Sequence, residues 1–162
     1  AGKANAASTK KVESINMDSK YSVSNIASIA PKMDSRVLKA YKKLGFTVTI
    51  DPSVNYGGCF NAHSRSIILR FENETVYHEL GHFLAFAAVY NSEKSKFTGI
   101  NRSYATQNSS EYFAESVLEY VTSPSTLKRQ RPKTYAAIVA ALNKITDERI
   151  QRVMDIYGPF WS

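Results

Sequence analysis

From Asp34 onward the apolar positions Val37, Leu38, Tyr41 and Leu44 fall at helical spacing, with Gly45 placed to cap the end, which predicts a first helix. Phe46-Thr47-Val48-Thr49-Ile50 then alternates apolar and polar with β-branched residues, the pattern of a half-buried strand, and Asp51-Pro52 ends it. Ser66 to Phe71 predicts a second strand, whose edge could pair with an extended peptide. Between the two, Asn55 to Ser64 reads as a loop in which Gly57-Gly58 frees the backbone to turn or approach a ligand. Before them, Tyr21 to Ala30 predicts a short helix or turn ahead of Pro31, and residues 1–20 a polar tail with little periodicity.

Thr75 to Tyr90 is apolar nearly all round at Val76, Tyr77, Leu80, Phe83, Leu84, Phe86, Ala87 and Val89, so it predicts a helix running through the core, capped by Asn73-Glu74-Thr75. Asn91 to Asn108 is polar and reads as a long loop carrying Tyr104. Ser109 to Val121 is a second amphipathic stretch, with Asn108 and Glu111 spaced as a capping box and Pro124 as its stop. Pro132 to Ile145 predicts a third helix, and Thr146-Asp147-Glu148 starts a fourth that Gly158-Pro159 should end near Tyr157. Several helices with a few short strands make the class α+β, with residues 21–162 as one domain.

Composition narrows this little. An apolar fraction of 43% and an aromatic fraction of 12% suffice for a real core. The net charge of +7 permits acidic partners, but the basic residues fall in scattered pairs such as Lys10-Lys11, Lys42-Lys43 and Lys128-Arg129. They read as solvated faces, and nucleic-acid binding is not expected. Cys59 is the only cysteine, which excludes an intrachain disulfide. No apolar run approaches the ~18 residues of a membrane span.

The chemistry lies in His78-Glu79-Leu80-Gly81-His82, an HExxH motif inside the core helix. Residues i and i+4 share a helical face, so His78 and His82 can offer two imidazole nitrogens to one zinc ion, and Glu79 is placed as a general base beside the metal. A buried helix with two incidental histidines is the bland alternative. It is disfavoured because two of only three histidines fall at this spacing around a glutamate. Catalytic zinc commonly takes a third protein ligand, for which His63, Glu111, Glu115 and Glu119 are candidates. The three glutamates follow one another at i, i+4 and i+8 on one face, and a nearby zinc ion would compensate their charge. One as ligand and a neighbour holding a histidine tautomer would satisfy the site, but spacing leaves open which is which.

TVYHELGHFLAF, SSEYFAESVLEY and RPKTYAAIVAAL, in that order, resemble the motifs of the anthrax lethal factor and Pro-Pro endopeptidase group of zinc peptidases. The resemblance covers about Asp34 to Ile145. It implies a zincin-like domain with a small edge sheet of two to four strands, and a secreted bacterial endopeptidase acting as a monomer with one Zn²⁺ per chain. It further implies Glu111 as the third ligand, Glu115 as support for a zinc-bound histidine, and Tyr104 facing the scissile carbonyl. Gly57, Gly58, Cys59 and Phe60 would correspond to a loop beside the substrate-binding edge strand. At Asp51 to Ser66 the chain is shorter than the proline-specific members, which carry a Trp-bearing insertion there, so the resemblance leaves open whether cleavage falls between prolines.

Cys59 and His63 invite a cysteine-peptidase reading but lack an identifiable orienting Asn or Asp. A non-catalytic binding module that keeps the fold, and a toxin-like effector protease, are the alternative functions. Intact His78, Glu79, His82, Tyr104 and Glu111 argue against the first.

Overall fold

The computed structural model describes residues 19–88 and 103–162, the side chains of 103–109 excepted. Among the described residues, six α-helices and a four-stranded sheet make the protein α+β and mostly helical. The strands are β1 (Tyr21–Val23), β2 (Thr47–Ile50), β3 (Gly58–Asn61) and β4 (Ser66–Leu69), in the order β1-β2-β4-β3. The helices are α1 (Ser35–Lys43), α2 (Thr75–Ala88), α3 (Ser103–Thr122), α4 (Pro124–Gln130), α5 (Pro132–Asn143) and α6 (Asp147–Trp161).

Local signals place several of these elements. The Asp34 carboxylate accepts from the Arg36 N–H to start α1. At the other end Gly45 takes a φ of +79°, and the Phe46 N–H reaches back to the Tyr41 carbonyl, closing the helix in a Schellman turn that feeds β2. Val48 and Ile50 are buried while Thr47 is exposed, as the alternation requires. Asn73 Oδ1 accepts from the Thr75 N–H at the start of α2. That helix buries Val76, Tyr77, Leu80, Phe83, Leu84, Ala87 and Ala88 between the sheet and α3.

The sheet corrects three expectations. Tyr21-Ser22-Val23 is an antiparallel strand against Ile50, Thr49 and Val48, followed by a 3₁₀ turn at Ile26–Ser28, where a helix or turn was expected throughout. Gly58–Asn61, expected in a loop, is β3, because its backbone pairs antiparallel with Ser66–Leu69. Consequently β4 is interior, parallel to β2 on one side, and cannot offer an edge; among the described residues the edge strands are β1 and, on the side of β4, β3.

The helices bring three more. Residues 91–102 of the expected long loop, like most of the expected tail, lie outside the described residues, but α3 already begins at Ser103. Tyr104 is therefore helical, and Asn108 sits inside the helix rather than capping it. Pro124 stops α3 but also opens the short helix α4, where a proline at the first position loses nothing. Finally, α6 runs through Gly158-Pro159 to Trp161, its last turn held by contacts described below.

Candidate metal centre

The HExxH helix and α3 cross with His78 and His82 facing Glu111. His78 Nε2 lies 2.9 Å from Glu111 Oε1, and His82 Nε2 lies 3.1 Å from Glu111 Oε2. One potential ligand atom from each of the three residues lies within 4.8 Å of the others, a group that could hold a metal ion. The outward nitrogens are also occupied. His78 Nδ1 is 2.7 Å from Glu115 Oε2, and His82 Nδ1 is 3.2 Å from Ser110 Oγ. When each Nδ1 carries the proton it donates to that oxygen, leaving the Nε2 lone pair directed at the common point.

The crossing is close because Gly81 permits it. A Cβ there would stand 2.8 Å from Ala114 Cα and 2.9 Å from the Ala114 carbonyl oxygen. Gly81 adjoins His82, and Ala114 adjoins Glu115, so the closest approach of the two backbones lies in the midst of the histidines and carboxylates.

Glu79 is buried on the same helix, beneath β3. Burial pushes its carboxyl up to about 7; the Glu111 and Glu115 charges push the same way, while the His78 charge and a hydrogen bond from the Phe60 backbone N–H oppose them. A carboxylate with this proton affinity is suited to accept a proton near neutral pH. Burial is also the chief cause holding His82 below its ordinary value, which favours the neutral imidazole a ligand must present.

β3 covers the site. The Arg70 N–H donates to the Gly57 carbonyl, so by the antiparallel alternation Cys59 and Asn61 face β4, and the backbone groups of Gly58 and Phe60 face away from it. The Phe60 ring stacks on His82 with centroids 6.5 Å apart. A Cβ on Gly58 would lie 2.9 Å from Glu79 Oε2, 2.9 Å from Thr75 Cγ2 and 3.0 Å from Glu79 Cγ, side-chain atoms rather than backbone, of which the Glu79 chain has the more freedom to turn. Gly58→Ala is therefore expected to leave thermal unfolding within about 1 kcal/mol of the parent while displacing the Glu79 carboxylate. Turnover measured beside bound metal should fall, with metal content unchanged.

Of the residues singled out from sequence, His78, Glu79, His82, Glu111 and Glu115 come together, and Gly58 and Phe60 lie against them. Gly57 has a more open setting, its hypothetical Cβ 3.9 Å from Thr75 Cγ2. Cys59 is exposed on β3 with its thiol 3.9 Å from the Phe60 carbonyl oxygen, and His63 is exposed in the turn after the strand. Neither belongs to the cluster. Glu119 pairs with Arg131 instead, whose guanidinium also donates to Ser116 Oγ at 3.1 Å and covers the Tyr112 ring. Its charge thus has a protein partner and needs no metal. Ser110 was missed; its place immediately before Glu111 carries no distinctive sequence signal.

No protein-family model matches the chain, and no curated protein matches it.

Proposed function

We propose that the chain is a zinc-dependent endopeptidase with a zincin-like fold, held in its active arrangement by His78, His82 and Glu111. The observation that carries this reading is the sorting of four imidazole nitrogens: both Nε2 atoms face one carboxylate, and both Nδ1 atoms face separate oxygens of Glu115 and Ser110. Two imidazoles and a carboxylate are a ligand set that catalytic zinc takes with one position left open. Zinc bound there would polarise the peptide carbonyl and acidify a water molecule.

The chain's own groups supply the rest. Glu79, buried beneath β3 with a raised proton affinity, accepts the proton of the attacking water and returns it to the leaving amine. The outer edge of β3 receives an extended peptide through the outward backbone groups of Gly58 and the Phe60 carbonyl, the Phe60 N–H being held by Glu79, and Cys59 and Phe60 border it. Such recognition reads the backbone and suits an unfolded segment or protein loop. Tyr104 stands seven residues, about two turns, before Glu111 on α3, and its hydroxyl is assigned to the developing oxyanion. Tyr104→Phe should then lower kcat by about 10²–10³-fold while zinc content and KM hold.

The reading of a secreted monomer goes with this proposal. Among the described residues no helix is long and apolar enough to cross a membrane. Metal analysis of the purified protein, together with cleavage of an unfolded protein substrate, tests the function. About one zinc per chain, with cleavage lost to a chelator and restored by zinc, is the expected result. Protein without zinc and without cleavage would point to a binding module that only keeps the fold.

A further inference from the structure

α6 carries two local stop signals, Gly158 and Pro159, yet the helix continues to Trp161 and the Ser162 N–H still bonds to the Gly158 carbonyl. Proline inside a helix removes a hydrogen bond and clashes with the preceding turn, so this last turn needs support from outside the helix. Trp161 provides it. Its indole N–H donates to the Ala62 carbonyl at 3.0 Å, immediately after β3, and the Arg65 guanidinium lies 4.9 Å above its ring. Arg65 has a φ of +53° in the β3–β4 turn and also donates to the Leu44 carbonyl at 3.2 Å. The turn is thereby gripped between the end of α1 and the end of α6.

The same indole continues into the candidate metal centre. Its ring meets Phe46 edge-on at 5.6 Å, Phe46 stacks on Phe60 at 5.8 Å, and Phe60 stacks on His82 at 6.5 Å. β3 has four residues and, among the described residues, pairs with β4 alone, so ties at its two ends add to the hold that Phe60 gives it in the middle. One end is tied by the Arg70–Gly57 hydrogen bond, the other by the tryptophan.

We infer that Trp161 is a positioning residue that latches the β3–β4 turn and so holds the outer edge of β3 over the metal centre for an incoming peptide. The inference rests on the endopeptidase reading and extends it to a residue far from the chemistry in sequence. Trp161 touches neither the proposed metal nor Glu79; it acts through Ala62, Arg65 and the Phe46–Phe60 stack. Deleting the latch should loosen substrate capture and leave the catalytic step intact.

The test compares the zinc-loaded parent with Trp161→Phe, which removes the N–H but keeps a ring, and Trp161→Ala, which removes both. Hydrogen exchange is read at the Cys59 and Asn61 amides, which face β4, and KM and kcat are read on an unstructured peptide. In Trp161→Phe those amides should exchange faster and KM should rise about fivefold, the loss of one hydrogen bond, while kcat and zinc content hold. Trp161→Ala should move both readouts further in the same direction; if it fails to fold, the phenylalanine variant decides. Unchanged exchange and KM beside an active parent would overturn the latch alone, as would a fall in kcat with zinc loss and no change in KM. A parent that binds zinc but cleaves no peptide would instead overturn the reading of function.

Discussion

Replacing Glu79 by Gln is expected to lower kcat by about 10²–10⁴-fold while leaving zinc bound. Gln keeps the size and the hydrogen-bonding reach of the side chain, so the buried place beneath β3 stays filled. What disappears is the proton acceptor. Glu79 is not among the three residues whose ligand atoms converge, so metal content should match the parent. Glu111→Gln provides the contrast. Its carboxylate faces both Nε2 atoms, and its loss should remove zinc and cleavage together. Zinc analysis and initial rates on one peptide separate the two variants. Parent-like cleavage by Glu79→Gln would exclude it as the base.

What the sequence made legible follows from how local each signal is. The pairing of His78 with His82 needs only helical periodicity, and a carboxylate face at Glu111, Glu115 and Glu119 needs no more. Which carboxylate meets which partner depends on where other elements pack. Arg131 reaches Glu119 from the turn between α4 and α5, and no pattern around Glu119 announces it. β3 was hidden for a similar reason. Gly58-Cys59-Phe60-Asn61 has weak strand propensity, and its structure comes from pairing with β4. At α6 the local stop signal at Gly158-Pro159, which put the helix end near Tyr157, is overruled by the docking of Trp161. The start of α3 at Ser103 likewise overrode a polar stretch that resembled a loop.

Gly81→Ala is expected to weaken both the fold and the metal site, in contrast to Gly58→Ala. A glycine-to-alanine change inside a helix ordinarily stabilises it by about 1 kcal/mol. Here the new methyl would meet Ala114 Cα at 2.8 Å, its carbonyl oxygen at 2.9 Å and Val117 Cβ at 3.0 Å. The nearest atoms are backbone, so relief requires α2 and α3 to move apart rather than a side chain to rotate. Overpacking of this kind costs about 1–3 kcal/mol, enough to cancel the helical gain and leave a net loss. The separation also falls where it does most harm, since His78 and His82 stand on one helix and Glu111 and Glu115 on the other. Their contacts of 2.7–3.1 Å leave no slack for such a shift. Thermal unfolding without metal should show the packing cost, and zinc competition against a chelator should show weaker binding. A variant that melted higher than the parent and held zinc as tightly would mean that the helices do not approach at Gly81 as closely as the site requires.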